Sequence, residues 1–464
     1  MGINSIMSIA QGALFAQQAA MQVTSNNVAN VNTEGYMRQE AVLDESASVQ
    51  TSSGLMGSGV TVEKVMAQYD KFLEASVAKE NNTTEEWKTY EQYFSTIESA
   101  LNENNTNLTS NITAFFNAWQ TLSVDPTSDT ARTAVENQGV NVASSIRNIY
   151  SELKSVQTQA DSSVAQTVDD INGILHSIAQ ANNNVYESSS DVSVVSQSTQ
   201  LVKELSGLMD IQTFTDKNGG VTVMTSGGKT LVDKGTVNEL GVEKSATDNL
   251  YRVVWKGSSS NSVDITDSIK GGSLKSLIDI RDTQISGFMD SVNDLAQSLM
   301  TQVNDLHNTG YNANGTTGID FFKNLTQDYA ANMDVSDEVK TDVGNIAATS
   351  SAASTSGNDI ALALADLGSS TIAIGGQSTT YTDYTASIGS KIGNLSQNAQ
   401  SLSEYHQNLL TELETQSNSV SGVSIDEEMT NLIKYQYAYQ AAARLLNTAD
   451  NLFTSLLAIG TVSG

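Results

Sequence analysis

Few side chains in this sequence could do chemistry, and their spacing assembles no reaction centre. His176, His307 and His406 are the three histidines. Each is isolated, and no His-Glu-x-x-His or equivalent spacing is present to hold a metal. With Cys 0, disulfides, thiolate nucleophiles and cysteine-based zinc sites are excluded. The neighbouring carboxylates Asp169–Asp170 and Glu427–Glu428 read as solvated faces. The Asp and Asn residues between 304 and 320 lack the ligand spacing of a calcium loop. Gly54, Gly57 and Gly59 are not followed by Gly-Lys-Ser/Thr, so they read as turn or bulge positions and not as a phosphate cradle. Gly219–Gly220 and Gly227–Gly228 take the same reading. No catalytic, cofactor-binding or metal-binding residue is assigned; the expectation is a non-enzyme without cofactors.

What could not react can still pack. Near the N-terminus Ile9, Ala13, Ala16, Ala20, Val23, Asn27 and Asn30 recur at alternating spacings of four and three, and near the C-terminus Leu432, Tyr435, Tyr439, Ala442, Leu446, Ala449, Phe453 and Leu456 do the same. That rhythm sets each group on one side of a helix, ready for left-handed helix crossings. Both stripes are the candidate assembly interface. Ala438, Ala441, Ala442 and Ala443 permit close approach, and Asp426, Glu427 and Glu428 complement the dipole at the start of the second helix.

Between the ends the texture varies, and the chain reads as multidomain α+β. Residues 1–66 give a helix (about 4–30), a turn-rich segment and short alternating runs. Residues 67–206 read as mostly helical: about 70–101, 110–122, then onward from a cap at Asp129, with breaks around Gly139 and Gly173. Residues 207–268 alternate as short strands, Ile211–Phe214, Val221–Met224, Thr230–Val232 and Tyr251–Trp255, in a small β-rich domain; Asn218-Gly219-Gly220 supplies one turn. Residues 269–309 return to helix, 310–385 read as an irregular loop-rich subdomain with an exposed loop at Ala347 to Gly357, and 386–464 carry long helices, the first striped by Ile388, Ile392, Leu395, Ala399, Leu402, Tyr405, Leu409 and Leu413.

The 52 acidic and 23 basic residues give a formal net charge of −29, a surface that repels nucleic acid and anionic membrane. No basic n-region precedes an apolar core, and no apolar run approaches a bilayer span. Neither nucleic acid nor membrane insertion is expected, and export would need a route that reads something other than a cleaved signal.

The segment Thr24-Ser25-Asn26-Asn27-Val28-Ala29-Asn30-Val31-Asn32-Thr33-Glu34-Gly35-Tyr36-Met37-Arg38-Gln39 resembles the Asn-Asn-(Ile/Val)-Ala-Asn-x-Asn-Thr-x-Gly-Tyr signature of bacterial flagellar axial proteins. Arg38-Gln39 favours the hook-associated protein 1 family, which commonly has proline where Glu34 stands. A second match runs from Val423-Ser424-Ile425-Asp426-Glu427-Glu428-Met429 through Tyr437-Ala438-Tyr439-Gln440-Ala441-Ala442-Ala443-Arg444, and a third is Phe115-Phe116-Asn117-Ala118-Trp119-Gln120-Thr121-Leu122-Ser123 with Pro126 and Ala131-Arg132.

The resemblance implies a long-helix bundle formed by the N- and C-terminal segments, a mixed, mostly α middle domain and a small β-rich outer domain. It also implies a secreted structural subunit at the extracellular hook–filament junction, exported by the type III flagellar apparatus. The implied partners are further copies in a helical or ring-like junction, the flagellar hook protein, hook-associated protein 3, and a cytoplasmic export chaperone at the C-terminal region. Unpartnered terminal stripes should be disordered in the monomer and ordered by burial against neighbours. Two alternatives stand beside this reading: another axial component, such as a hook or distal-rod subunit, and an enzyme such as a peptidoglycan hydrolase housed in the middle of the chain.

Overall fold

The structure, a computed structural model, describes residues 3–33, 35–51, 54–187, 192–217, 219–257, 262–354 and 356–461. Glu34, Asn218 and Thr355 lie outside them.

Helix α1 (Ile3–Ala29) is followed by β1 (Gln39–Glu45), β2 (Val49–Thr51), β3 (Gly54–Met56) and β4 (Val60–Ala67). β1 and β4 pair antiparallel with an irregularity between Val42 and Leu43, and β2 and β3 pair antiparallel in a separate two-stranded sheet. Helix α1 runs unbroken through Gly12. A Cβ there would come within 2.9 Å of the Val60 carbonyl oxygen, so glycine lets β4 lie directly on the helix.

The body is built on α2 (Lys71–Val124) and α3 (Asp129–Glu187), of 54 and 59 residues. Asp70 caps α2 by accepting the Phe72 and Leu73 N–H groups. Helix α2 is continuous where sequence reading placed two helices. At the next turn the cap is Ser128, whose Oγ accepts the Ala131 N–H at 3.3 Å; Asp129 lies in the first turn. Helix α3 passes unbroken through both Gly139 and Gly173.

Helix α4 (Val192–Leu208) leads into a four-stranded antiparallel sheet of β5 (Ile211–Thr215), β6 (Val221–Thr225), β7 (Thr230–Asp233) and β8 (Thr236–Val237). A three-stranded sheet follows, in the order β11-β10-β9, from β9 (Leu240–Lys244), β10 (Tyr251–Lys256) and β11 (Ser262–Asp264). Helix α5 (Gly272–Asp279) continues through a π-helical turn into α6 (Ile285–Thr309). Short helices α7 (Tyr329–Asn332), α8 (Asp337–Thr341) and α9 (Asp359–Asp366) and the β12–β13 hairpin (Ile372–Ile374, Gln377–Thr379) precede α10 (Tyr381–Ser421) and α11 (Ile425–Thr461).

Apolar side chains of α2, α3, α6 and α10 form one continuous core, which residues 310–385 enter through Phe321, Phe322, Val335, Ile346 and Leu364. The segment predicted as an exposed loop begins inside that core, where Ala347 and Ala348 are buried. On α10 the predicted stripe holds at Ile388, Ile392 and Ala399. The buried face then moves to Ser403, Leu410 and Ser417, leaving Tyr405 exposed.

Four helix-to-backbone clamps recur. The amides of Asn27, Asn172, Asn182 and Asn304 each bond both the N–H and the C=O of one extended residue: Gln39, Leu240, Val221 and Phe322 respectively. Asparagine suits this because one planar group offers a donor and an acceptor side by side.

Candidate assembly interface

Helices α1 and α11 pack along one another and run antiparallel, because Asn27 in the last turn of α1 meets Glu428 in the first turn of α11. Small residues carry their seam. Ala10, Ala16, Ala20 and Thr24 are buried on α1, and Ala442 and Ala449 on α11.

The joint that fixes this pair is polar. Asn27 Oδ1 accepts the Gln39 N–H at 2.9 Å and the Tyr36 hydroxyl at 2.9 Å. Its Nδ2 donates to the Gln39 carbonyl at 2.8 Å and to Glu428 Oε2 at 3.0 Å. Every hydrogen-bonding position of the buried amide is therefore used. The other Glu428 oxygen accepts Arg38 Nε at 2.8 Å, while the Arg38 main-chain N–H donates to Ser421 O at 2.8 Å. Glu428 is 2% exposed and Glu427 65%, so the pair read as a solvated face divides: one carboxylate is the core of the joint and the other its rim. Burial, then the Glu428 charge, raises the Tyr36 phenol above its ordinary range. Burial also raises Tyr435, with Glu40 and Glu428 adding to it. Gly35 adopts φ +72°, the left-handed turn that delivers Tyr36 and Arg38 to the joint.

The predicted interface residues divide by position. Ala16, Ala20, Asn27 and Ala442 are buried in the α1–α11 seam, and Ile9, Ala13, Val23, Asn30, Leu432, Tyr435 and Leu446 are half-buried. Tyr439, Phe453 and Leu456 are exposed, at 37%, 39% and 61%. Helix α11 has 37 residues against 27 in α1; counted from the Asn27–Glu428 contact, residues beyond about 452 overhang the described start of α1. Sequence reasoning missed the joint partners Tyr36, Arg38 and Glu428, although the Gly-Tyr-x-Arg-Gln run carried the signal.

The histidines occupy structural positions. His176 meets Glu239 at 2.9 Å and His406 meets Glu80 at 2.6 Å. His307 is buried; its Nδ1 donates to Ile319 O at 2.7 Å and its Nε2 accepts the Ala347 N–H at 2.9 Å. Among the described residues no group of three His, Cys, Asp or Glu could hold a metal ion, and no helix is long and apolar enough to cross a membrane.

Residues 94–322 match the family described as the flagellar hook-associated protein FlgK helical domain. Residues 7–36 match the flagella basal body rod protein family, and 415–459 the flagellar basal body rod FlgEFG protein C-terminal family. The flagellar hook-associated protein 1 of Bacillus subtilis is 28% identical, with 97% of both chains covered. That of Escherichia coli is 25% identical over 98% of this chain and all of the relative, and that of Salmonella typhimurium 24% over the same shares. The fold is similar to the flagellar hook junction protein FlgK from Burkholderia pseudomallei, with a TM-score of 0.67 and 15% identity, covering 75% of this chain and 100% of that one.

Proposed function

The chain belongs to the flagellar hook-associated protein 1 family and is a structural axial subunit joining hook to filament; from that premise we propose that its paired termini are the surface through which it assembles. The observation that carries this reading is the joint of Asn27, Arg38 and Glu428, which binds the two ends of the chain into one rod-like unit. Within that unit Ala16, Ala20, Asn27, Leu432, Tyr435, Ala442 and Leu446 hold the helices to each other. Phe15, Tyr439, Phe453 and Leu456 stay exposed and face neighbours, since a bare apolar helix face is stable only when covered.

On this reading copies associate in a short helical or ring-like zone outside the cell, above the hook protein and below hook-associated protein 3. They arrive through the type III flagellar export apparatus after a cytoplasmic chaperone has held the C-terminal region. The net charge of −29 keeps unassembled copies apart in solution.

Imaging the hook–filament boundary in a strain lacking the chain tests the function. Intact hooks without filaments, and flagellin shed to the medium, are expected. Filaments still attached would sink the proposal.

A further inference from the structure

Helix α11 exposes two separate apolar ridges at its two ends, and they differ in electrostatic surroundings. Near its start, Ile425, Met429, Ile433 and Tyr437 recur every four residues and are 49%, 45%, 48% and 69% exposed. Asp426 and Glu427 border this ridge, the latter with its side chain 65% exposed and 3.5 Å from Arg38, and Lys434 adjoins it next to Ile433. Nearer the other end, Leu445, Leu452 and Leu456 lie on a different face, 43%, 52% and 61% exposed. From 451 to 461 the helix carries no charged residue.

We infer that the ridge at the start of α11 in one copy docks against the ridge at the end of α11 in the next copy, so that copies associate head to tail along this helix. This rests on the assembly reading above and names the faces that meet. Charge selects the occupant. In a chain of net −29, a two-fold contact of this ridge with its own counterpart would bring both copies' Asp426 and Glu427 together, which like-charge repulsion opposes. The second ridge, whose Leu452 and Leu456 lie in the charge-free stretch, presents no such opposition. Different patches meeting give a heterologous contact, which propagates into a helical array instead of closing as a dimer. The ridge centres are separated by roughly 20 residues of helix, a stagger of about 30 Å between successive copies. Residues spaced every four along a helix form a ridge that fits the groove of a second helix.

The absence of cysteine makes the contact directly readable. Full-length Ile433→Cys and Leu452→Cys chains would be expressed singly and together in cells lacking the native chain, and junctions carrying filaments oxidised or treated with a short bismaleimide. A band at dimer mass is expected only when the two variants are mixed. Met429→Cys with Leu456→Cys supplies an independent pair, all four positions being exposed and outside the core. Dimers formed by either variant alone would overturn the inference in favour of a two-fold contact. Attached filaments with no cross-link from either mixed pair would overturn it while leaving the assembly reading intact. The assembly reading itself fails only if filaments stay attached when the chain is absent.

Discussion

Asn27 and Glu428 are 401 residues apart in sequence and 3.0 Å apart in space, a contact that ties the last turn of α1 to the first turn of α11. Asn27→Ala removes all four hydrogen bonds of the amide and leaves the Gln39 main chain unpaired in a buried site. The expected cost is on the order of 2–3 kcal/mol. Asn27→Asp should be worse, since it replaces two donors by acceptors and sets a second carboxylate against Glu428. Hydrogen exchange should show faster amides in α1 and α11 with the body unchanged. Equal protection in all three chains would refute the joint.

Arg38→Ala strands the Glu428 carboxylate, which is 2% exposed, without its cation. Breaking a buried pair from one side costs about 3–5 kcal/mol, less here because Arg38 itself is 21% exposed. Glu428→Gln with Arg38→Met should recover part of the loss, and a double-mutant cycle by urea unfolding measures the coupling. Additive single effects would mean that the pair contributes nothing.

Gly139 and Gly173 make opposite predictions within one helix. A Cβ at Gly139 would lie 2.7 Å from Phe321 Cε1 and 3.1 Å from Val335 Cγ2, whereas at Gly173 it meets nothing within 4 Å. Phe321 is held edge-on by Trp119 and Phe322, with centroids at 5.5 and 4.9 Å, so displacing it disturbs both rings. Gly173→Ala should stabilise by about 0.5–1 kcal/mol through helix propensity. Gly139→Ala should destabilise by about 1–3 kcal/mol through overpacking. Melting temperatures moving in the same direction would contradict the packing.

Burial pushes the His307 imidazole down to about 4. The unfolded ring takes a proton below about 6.5. Between those values the unfolded chain binds more protons, so the contribution of His307 is full above the upper limit and is lost as pH falls toward the lower. Protonation would also replace the acceptor at Nε2 by a donor facing the Ala347 N–H. NMR titration of the ring should find it neutral down to nearly pH 4; an ordinary midpoint near 6.5 would contradict its sealed position.

Both long terminal helices were legible because 27 and 37 residues of repeated three-and-four spacing leave little room for another period. The strand candidates of the β-rich segment were legible from alternation and glycine turns. Gly139 was misread because a glycine that ends a helix and one that admits a neighbouring ring look alike in sequence. Residues 310–385 hid their order for a related reason. Helices of four, five and eight residues show no periodicity, and their positions are fixed by Phe321 and Phe322 against Phe115 and Trp119. Of the candidate interface, the stripes were readable. The joint was not, since a buried Glu428 beside an exposed Glu427 depends on which side of α11 meets Arg38.

The clamp at Asn27 imposes an order of events. Its acidic partner lies 401 positions further along, so a strand emerging amino end first cannot close this joint until the start of α11 has arrived. The core shared by α2, α3, α6 and α10 draws only on residues that precede α11. A copy cut short anywhere before α11 would keep the Asn27–Gln39 clamp but lack the Glu428 carboxylate that joins the two ends.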